Sequence, residues 1–370
     1  MIIPELLLYL FIVVAIVQGL YYVVIFSKLA LLKPKARKQK NHNISVIICA
    51  KNEAEYLKSF LPFIVNQDYP NYEVILVNDG STDSSLDIME IYANRYHHVR
   101  VVDVEQNETF WGNKKYALTL GIKAAKFDYL LLTDADCKPL SRYWIKQMSA
   151  YFEEGKQIVL GYGAYAKTSF SLLNKLIRYE TLITAIQYFS YALCGIPYMG
   201  VGRNLAYKKE AFFENNGFVN HMNLLSGDDD LFINQIATKD NVATNISPFS
   251  FTESIPETTL MDWFRQKKRH VSTAFKYKII HKQLLGLFYL SQLFFWTLFI
   301  ILLIYKYKIY MVLGLFLGII IIKYIVIGIS AYKLKEKDLV PFLPFLELFL
   351  ISFQLSIFIS NLFTKQSRWK

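Results

Sequence analysis

The sequence predicts an α/β domain with a mostly parallel, doubly wound, Rossmann-like sheet, flanked by transmembrane helices. Three observations predict it. Long apolar segments sit at both ends of the chain and not in its middle. From Ile44 onward, short apolar runs alternate with helical patterns, the signature of parallel strands joined by crossover helices. One of these runs, residues 129–133, ends in Asp134-Ala135-Asp136, and a parallel strand presents its C-terminal end at the ligand crevice.

Bulk composition agrees. Of 370 residues, 54% are hydrophobic and mean hydropathy is +0.25, too apolar for an ordinary soluble enzyme. The net charge is +11. Beside long apolar segments, that excess points to anionic lipid or a phosphorylated substrate. No nucleic-acid-binding motif is present, and no nucleic acid is expected as a partner. Cys49, Cys137 and Cys194 are widely spaced and form neither a metal motif nor a disulfide framework. They fit a reducing compartment.

Residues 2–26 are nearly all apolar and long enough to span a bilayer. No basic residue precedes this run and no small-residue cleavage pattern follows it, which disfavours a signal peptide. Lys33, Lys35, Arg37, Lys38 and Lys40 follow without an acid. By the positive-inside rule they place the next domain in the cytoplasm, at the cell membrane. The expected organisation is an N-terminal span over 1–32, a cytoplasmic domain with interfacial helices over 33–283, and C-terminal spans over 284–370.

Within the domain, residues 44–49, 73–77, 99–104 and 129–133 read as strands. Residues 114–126 read as a helix, with Ala117, Leu118, Ile122 and Ala125 at helical spacing. The second strand ends in Asn78-Asp79-Gly80-Ser81, good turn chemistry. Residues 169–193 read either as an interfacial helix or as a core helix. Gly200-Val201-Gly202-Arg203-Asn204 is a glycine-bearing loop where a sugar or diphosphate can approach, or one that Arg203 and Asn204 simply hold. Residues 225–232 open a helix with Asp228, Asp229 and Asp230, more acid than a helix dipole needs. A basic stretch, 265–282, contains no acid and suits anionic headgroups or a phosphate. Trp263 beside it reads as an interfacial anchor or a sugar platform.

Three apolar segments finish the chain, at about 284–305, 309–332 and 341–363. The third carries Glu347, Gln354 and Asn361, so it packs inward or is partly re-entrant. Four spans in total place Lys365, Arg368 and Lys370 outside, against the charge rule.

Five motifs in order carry a family likeness: Val77-Asn78-Asp79-Gly80-Ser81, Lys114 with Ala117 and Leu118, Asp134-Ala135-Asp136, Gly227-Asp228-Asp229, and Gln266 with Arg269. Over roughly residues 44–275 the chain resembles a membrane-bound family 2 glycosyltransferase of GT-A fold, of the polysaccharide-synthase type. The likeness implies a hexosyl transfer from a nucleoside diphosphate sugar, with Mg²⁺ or Mn²⁺, to a lipid-linked or glycan acceptor. It implies Asp79 at the nucleotide base, Lys114 near the nucleotide and its diphosphate, and Asp134 near the ribose or donor sugar. Asp136, with Asp134 beside it, would hold the metal. Gln266 and Arg269 would close over the diphosphate, and Arg203 is a further candidate there. Asp229 matches the catalytic base, whereas alignment on Asp230-Leu231 selects Asp228. His270 stands where processive members carry Trp, a departure from the processive pattern.

The chemistry asks for the same parts. A cation and basic side chains stabilise the leaving diphosphate. A carboxylate takes the acceptor proton. One base and in-line displacement invert the anomeric centre. Two other readings remain: a processive polysaccharide synthase, and a non-catalytic nucleotide-binding membrane module.

Overall fold

The computed structural model describes residues 2–33, 41–104, 114–152, 155–224 and 226–363. Leu225, most of the basic cluster (Lys35, Arg37, Lys38, Lys40) and Lys365, Arg368 and Lys370 lie outside the described residues.

Helix α1 (Ile2–Leu20) passes through a π-helical segment (Tyr21–Phe26) into α2 (Ser27–Leu31). The middle of the chain begins with β1 (Ile44–Ala50), α3 (Ala54–Val65), β2 (Tyr72–Asn78), α4 (Ser85–Arg95), β3 (Val99–Asp103), α5 (Lys114–Ala124) and β4 (Tyr129–Leu132). It continues with β5 (Cys137–Pro139), α6 (Trp144–Ser149), β6 (Ile158–Leu160), β7 (Gly163–Tyr165) and α7 (Leu172–Leu193). Then come β8 (Leu205–Lys208), α8 (Lys209–Glu214), α9 (Asp230–Ile236), β9 (Val242–Thr244), β10 (Thr252–Ser254) and α10 (Leu260–Val271). Three long helices follow: α11 (Ile279–Tyr305), α12 (Ile309–Lys333) and α13 (Leu343–Phe363).

The main sheet has the strand order β3-β2-β1-β4-β8-β6-β9. Strands β3, β2, β1 and β4 are parallel. Strand β8 runs antiparallel to β4 and β6, and β6 pairs parallel with β9. The expected mostly parallel sheet is therefore observed. The apolar runs of β1 and β2 are buried on both faces, as helix-covered parallel strands must be. Helix α5 rests directly on them because Gly121 has no side chain. A Cβ there would stand 2.7 Å from Val77 Cγ2 and 3.0 Å from Ile47 Cγ2. A second sheet, β5-β10-β7, lies beyond β4. Its three-residue strands are too short to show a sequence period.

Of the two readings of residues 169–193, the core helix is the observed one. Both apolar and charged residues of α7 are buried, Arg178 and Glu180 included.

Four helices are long and apolar enough to cross a membrane: 3–31, 279–305, 309–333 and 337–363. Phe11 stacks on Phe295 at 5.5 Å, and Gln18 Nε2 donates to Ser291 Oγ at 2.6 Å, joining α1 to α11. Glu347 does face inward. It pairs with Lys323 Nζ at 2.5 Å and accepts from Gln292 Nε2 at 3.1 Å. Trp263 is neither an interfacial anchor nor a sugar platform. It is fully buried, stacked on Phe353 of α13 at 4.0 Å, because α10 lies along α13.

Both ends of α13 are tied to the domain. Just before it, Glu336 and Asp338 pair with the buried Arg178 of α7, the latter at 2.7 Å. At its far end, Lys268 Nζ donates to Ser360 Oγ at 2.8 Å, and Asn361 Nδ2 donates to the Lys268 carbonyl at 3.5 Å.

Candidate active site

Because β1, β2 and β4 are parallel, their C-terminal ends meet at one edge. Lys51, Asp79 and the Asp134–Asp136 pair follow these ends and open into one cleft of about 590 Å³. Every candidate lines that cleft: Asp79, Lys114, Asp134, Asp136, Arg203, Asp228, Asp229, Gln266 and Arg269. His270 lines it too.

Asp79 is held by its backbone, whose N–H donates to the Ala50 carbonyl at 2.9 Å. Asn78 braces the turn, donating to Asp103 Oδ1 at 2.7 Å and accepting from Ser81 N at 3.1 Å. Burial raises the Asp79 carboxyl above its ordinary range, partly opposed by Lys51. Its Oδ2 is buried and has no hydrogen-bond partner. An acceptor left in that state is costly unless a ligand supplies a donor.

Lys114 opens α5 and reaches two acids. Its Nζ lies 2.7 Å from Asp134 Oδ1 and 3.0 Å from Asp228 Oδ2. Burial disfavours the ammonium, but the two carboxylates outweigh it and hold Lys114 well above the usual lysine range. Burial also works against charge on Asp228, and Lys114 again outweighs it, drawing that carboxyl down.

The acid triplet is set by a turn and two caps. Gly227, at φ +105°, makes a bend that a side chain strains. Asp229 caps α9: its Oδ1 accepts from Asp230 N at 2.7 Å and its Oδ2 accepts from Gly202 N at 2.7 Å. Burial, then the charges of Asp228 and Asp230, push Asp229 up to about 7. Asp230 turns away from Lys114 and accepts from Thr273 Oγ1 and from Tyr277 Oη, the latter at 2.6 Å. Those two bonds fasten the segment after α10 beside the triplet.

The glycine loop divides its labour. Asn204 holds the loop, donating to the carbonyls of Tyr162 and Ser250 and accepting from Trp144 Nε1 at 3.0 Å. Thr133 and Thr252 both donate to the Arg203 carbonyl. The Arg203 guanidinium is left in the cleft wall, 4.2 Å over the Tyr165 ring. Tyr165 Oη also reaches Gln266 Oε1 at 3.5 Å, and Gln266 Nε2 donates to Glu257 at 3.2 Å. Arg269 is largely buried within the field of Asp228 and Asp134.

Asp134, Asp136 and Cys137 each place one ligand atom within 4.8 Å of the others. Burial and then Asp134 raise Asp136 to about 6. Two crowded carboxylates of this kind suit a hard divalent cation such as Mg²⁺ or Mn²⁺. The Cys137 thiol is already within 2.9 Å of Ser254 Oγ, so the oxygen donors carry the fit.

Two groups escaped the sequence reading. Lys115 is 1% exposed and donates to the carbonyls of His221, Leu224 and Ser226 at 2.8, 2.9 and 2.6 Å. It holds the loop that leads into the triplet. Its signal was adjacency to Lys114, which a lone lysine beside a lysine does not distinguish from a solvated pair. Lys267 pairs with Glu180 of α7 at 2.5 Å inside the cleft, a contact with no sequence signature.

The chain is similar to known glycosyltransferases. Residues 45–214 match Glycosyl transferase family 2. Over 125 residues the chain is 34% identical to the poly-beta-1,6-N-acetyl-D-glucosamine synthase of Staphylococcus epidermidis. That match covers 33% of this chain and 29% of the synthase, so less than a third of the relative's length is spanned. A Methanococcus voltae dolichyl N-acetyl-alpha-D-glucosaminyl phosphate 3-beta-D-2,3-diacetamido-2,3-dideoxy-beta-D-glucuronosyltransferase is 28% identical, covering 46% of this chain and 50% of that protein. Among solved structures, a mannosyltransferase from Pyrobaculum calidifontis, in complex with GDP-Man and Mn²⁺, superposes with a TM-score of 0.60 at 17% identity. It covers 96% of this chain and 99% of that one, which shows a shared fold. Residues 45–214 thus match Glycosyl transferase family 2 on a GT-A-type fold, in a chain with four helices long and apolar enough to cross a membrane.

Proposed function

We propose that this protein is an inverting, metal-assisted glycosyltransferase. It moves a sugar from a nucleoside diphosphate sugar to a lipid-linked or glycan acceptor. The observation that carries the reading is the Lys114 bridge between Asp134 and Asp228. It joins the metal-side acid at a strand end to the acid triplet at a helix start. Donor and acceptor chemistry then share one cleft.

In this reading Asp79, with its unpartnered oxygen, accepts from the nucleotide base. Asp136 and Asp134 hold Mg²⁺ or Mn²⁺, which supplies charge stabilisation for the departing diphosphate. Lys114, Arg203, Gln266 and Arg269 surround the diphosphate with donors. Asp229 removes the acceptor proton. A base poised near 7 serves that role better than Asp228, whose charge is locked to Lys114. The basic cluster after the first helix supports a cytoplasmic placement of the domain, and the basic α10 supports contact with membrane lipids.

The test is a screen of purified, detergent-solubilised protein against UDP- and GDP-sugars with Mg²⁺ or Mn²⁺, scoring released nucleoside diphosphate. Release is expected with one donor and is lost in both Asp136→Ala and Asp229→Asn. Release that survives both substitutions removes the mechanism. A second reading, processive synthesis, is favoured by the 34% identity to a polysaccharide synthase. Products growing as a ladder select it; a single added residue per acceptor rejects it.

A further inference from the structure

The cleft does not end at the acid triplet. Its wall continues along Thr181, Thr184 and Gln187 of α7, past Lys267 and Val271 of α10, to Leu285 of α11 and Gln354 of α13. Helices α11 and α13 are among those long and apolar enough to enter a membrane. Gln354 is the eleventh residue after Leu343, about 16 Å along α13 at the helical rise. A polar side chain at such a place in an apolar helix faces an interior or a cavity, and this one faces the cleft that holds the carboxylates. One continuous space therefore connects Asp136 to helices long and apolar enough to enter a membrane.

The charge of the wall limits what can fill the second end. Among the described residues, nine carboxylates line the cleft against five Lys and Arg side chains. A divalent cation and a donor diphosphate nearly cancel each other, so the surplus stays negative. The cation at the membrane end, Lys267, is already paired with Glu180 at 2.5 Å. Thr184 Oγ1 donates to the same Glu180 at 3.2 Å. What remains there is Thr181, Gln187, His270, Gln354 and apolar surface: groups that bond hydroxyls and pack against hydrocarbon. A second phosphate would add like charge to a wall already rich in acid.

We propose that the acceptor is a membrane lipid whose head is uncharged and hydroxyl-bearing, entering between α7 and α10 over α13. This rests on the transfer reading above and narrows its acceptor. The lipid hydroxyl oxygen forms a bond to the anomeric carbon. The anomeric carbon's bond to the diphosphate oxygen breaks, its electron pair leaves with the nucleoside diphosphate, and the hydroxyl proton passes to Asp229.

The test uses the full chain in phospholipid nanodiscs with Mn²⁺ and a radiolabelled donor, run separately with UDP-glucose, UDP-N-acetylglucosamine and GDP-mannose. Three acceptors are offered: dioleoylglycerol or its monoglucoside, undecaprenyl phosphate, and a water-soluble oligosaccharide. The expected result is organic-phase label that survives mild acid, seen only with the uncharged lipids. Gln354→Leu is expected to raise the KM for that lipid at least fivefold while the donor KM stays within twofold. Acid-labile label on undecaprenyl phosphate alone, or label confined to the oligosaccharide, overturns the proposal. So does donor hydrolysis with no acceptor labelled. Absence of donor turnover of any kind falls instead on the transfer reading itself.

Discussion

Lys114 Nζ and Asp228 Oδ2 lie 3.0 Å apart, and the same ammonium is 2.7 Å from Asp134. The bridge is mostly shielded from solvent, with side-chain exposures of 18% for Lys114 and 8% for Asp228. Removing one partner of a buried pair strands the other charge, at roughly 3–5 kcal/mol. Lys114→Met should therefore lower kcat/KM for the donor by about 10²- to 10³-fold and lower the melting temperature. Lys114→Arg should recover part of both. Nucleoside diphosphate release and a melting curve in detergent check it, and a Met variant with unchanged kinetics refutes the bridge's role.

Asp229 gives the pH dependence a direction. Burial and two acidic neighbours lift its carboxyl to about 7. A general base works only when ionised, so kcat/KM should fall tenfold per pH unit below about 7 and level off above it. Asp229→Asn should cost roughly 10²- to 10⁴-fold and flatten that acidic limb. If the limb persists in Asp229→Asn but disappears in Asp228→Asn, the base is Asp228 and the alignment on Asp230-Leu231 is the right one.

The metal prediction separates binding from turnover. Asp134 and Asp136 present oxygen donors, with Cys137 close by but engaged by Ser254. Chelation with EDTA should abolish transfer, and added Mn²⁺ should restore it. Asp136→Ala should remove most Mn²⁺ binding, read by electron paramagnetic resonance of the free ion. Cys137→Ser should leave that titration within about threefold, because hard cations prefer the carboxylates.

Much of this was legible because its signals are local. Strand runs that end in acids, and helix starts with charged residues, need only a few neighbouring letters. That is why four strands of the parallel half were readable, and why the nine candidates named from the sequence all fall along one cleft. Contacts between distant segments leave no such trace. Helix α7 is buried all round, so it has no polar stripe to show which face is inside. Trp263 resembles an interfacial residue by composition and is fixed instead by Phe353 on a helix far along the chain. Lys115 is the sharpest case. A buried lysine among carbonyls reads, in sequence, like any surface lysine.

Lys115 makes its own prediction. Its Nζ donates to three carbonyls of the loop before the triplet. Lys115→Met keeps the volume but leaves those acceptors without their donor, at about 1–3 kcal/mol for each that stays dry. With partial relaxation the loss should be about 2–4 kcal/mol, seen as a lower melting temperature. Activity should fall through kcat more than through donor KM, since the triplet and not the nucleotide side is loosened. An unchanged melting curve rejects this account.

Helix α13 carries the last prediction. Length and hydropathy allow it to cross a membrane. Its contacts argue for a different course. The turn before it is bound to Arg178, and Ser360 and Asn361 near its end are bound to Lys268 of α10. A helix that crosses the bilayer carries one end about 30 Å away from the other face, yet both ends of α13 stay against the domain. Between them, Phe345 and Phe358 are more than half exposed, which suits a face laid on lipid. We therefore expect α13 to lie along the membrane surface beneath the cleft, with its end on the domain's side. A cysteine placed at Leu362 should react with an impermeant maleimide from the same face as one placed at the exposed Lys58, measured above the background of Cys49, Cys137 and Cys194. Reaction from the opposite face makes α13 a true span.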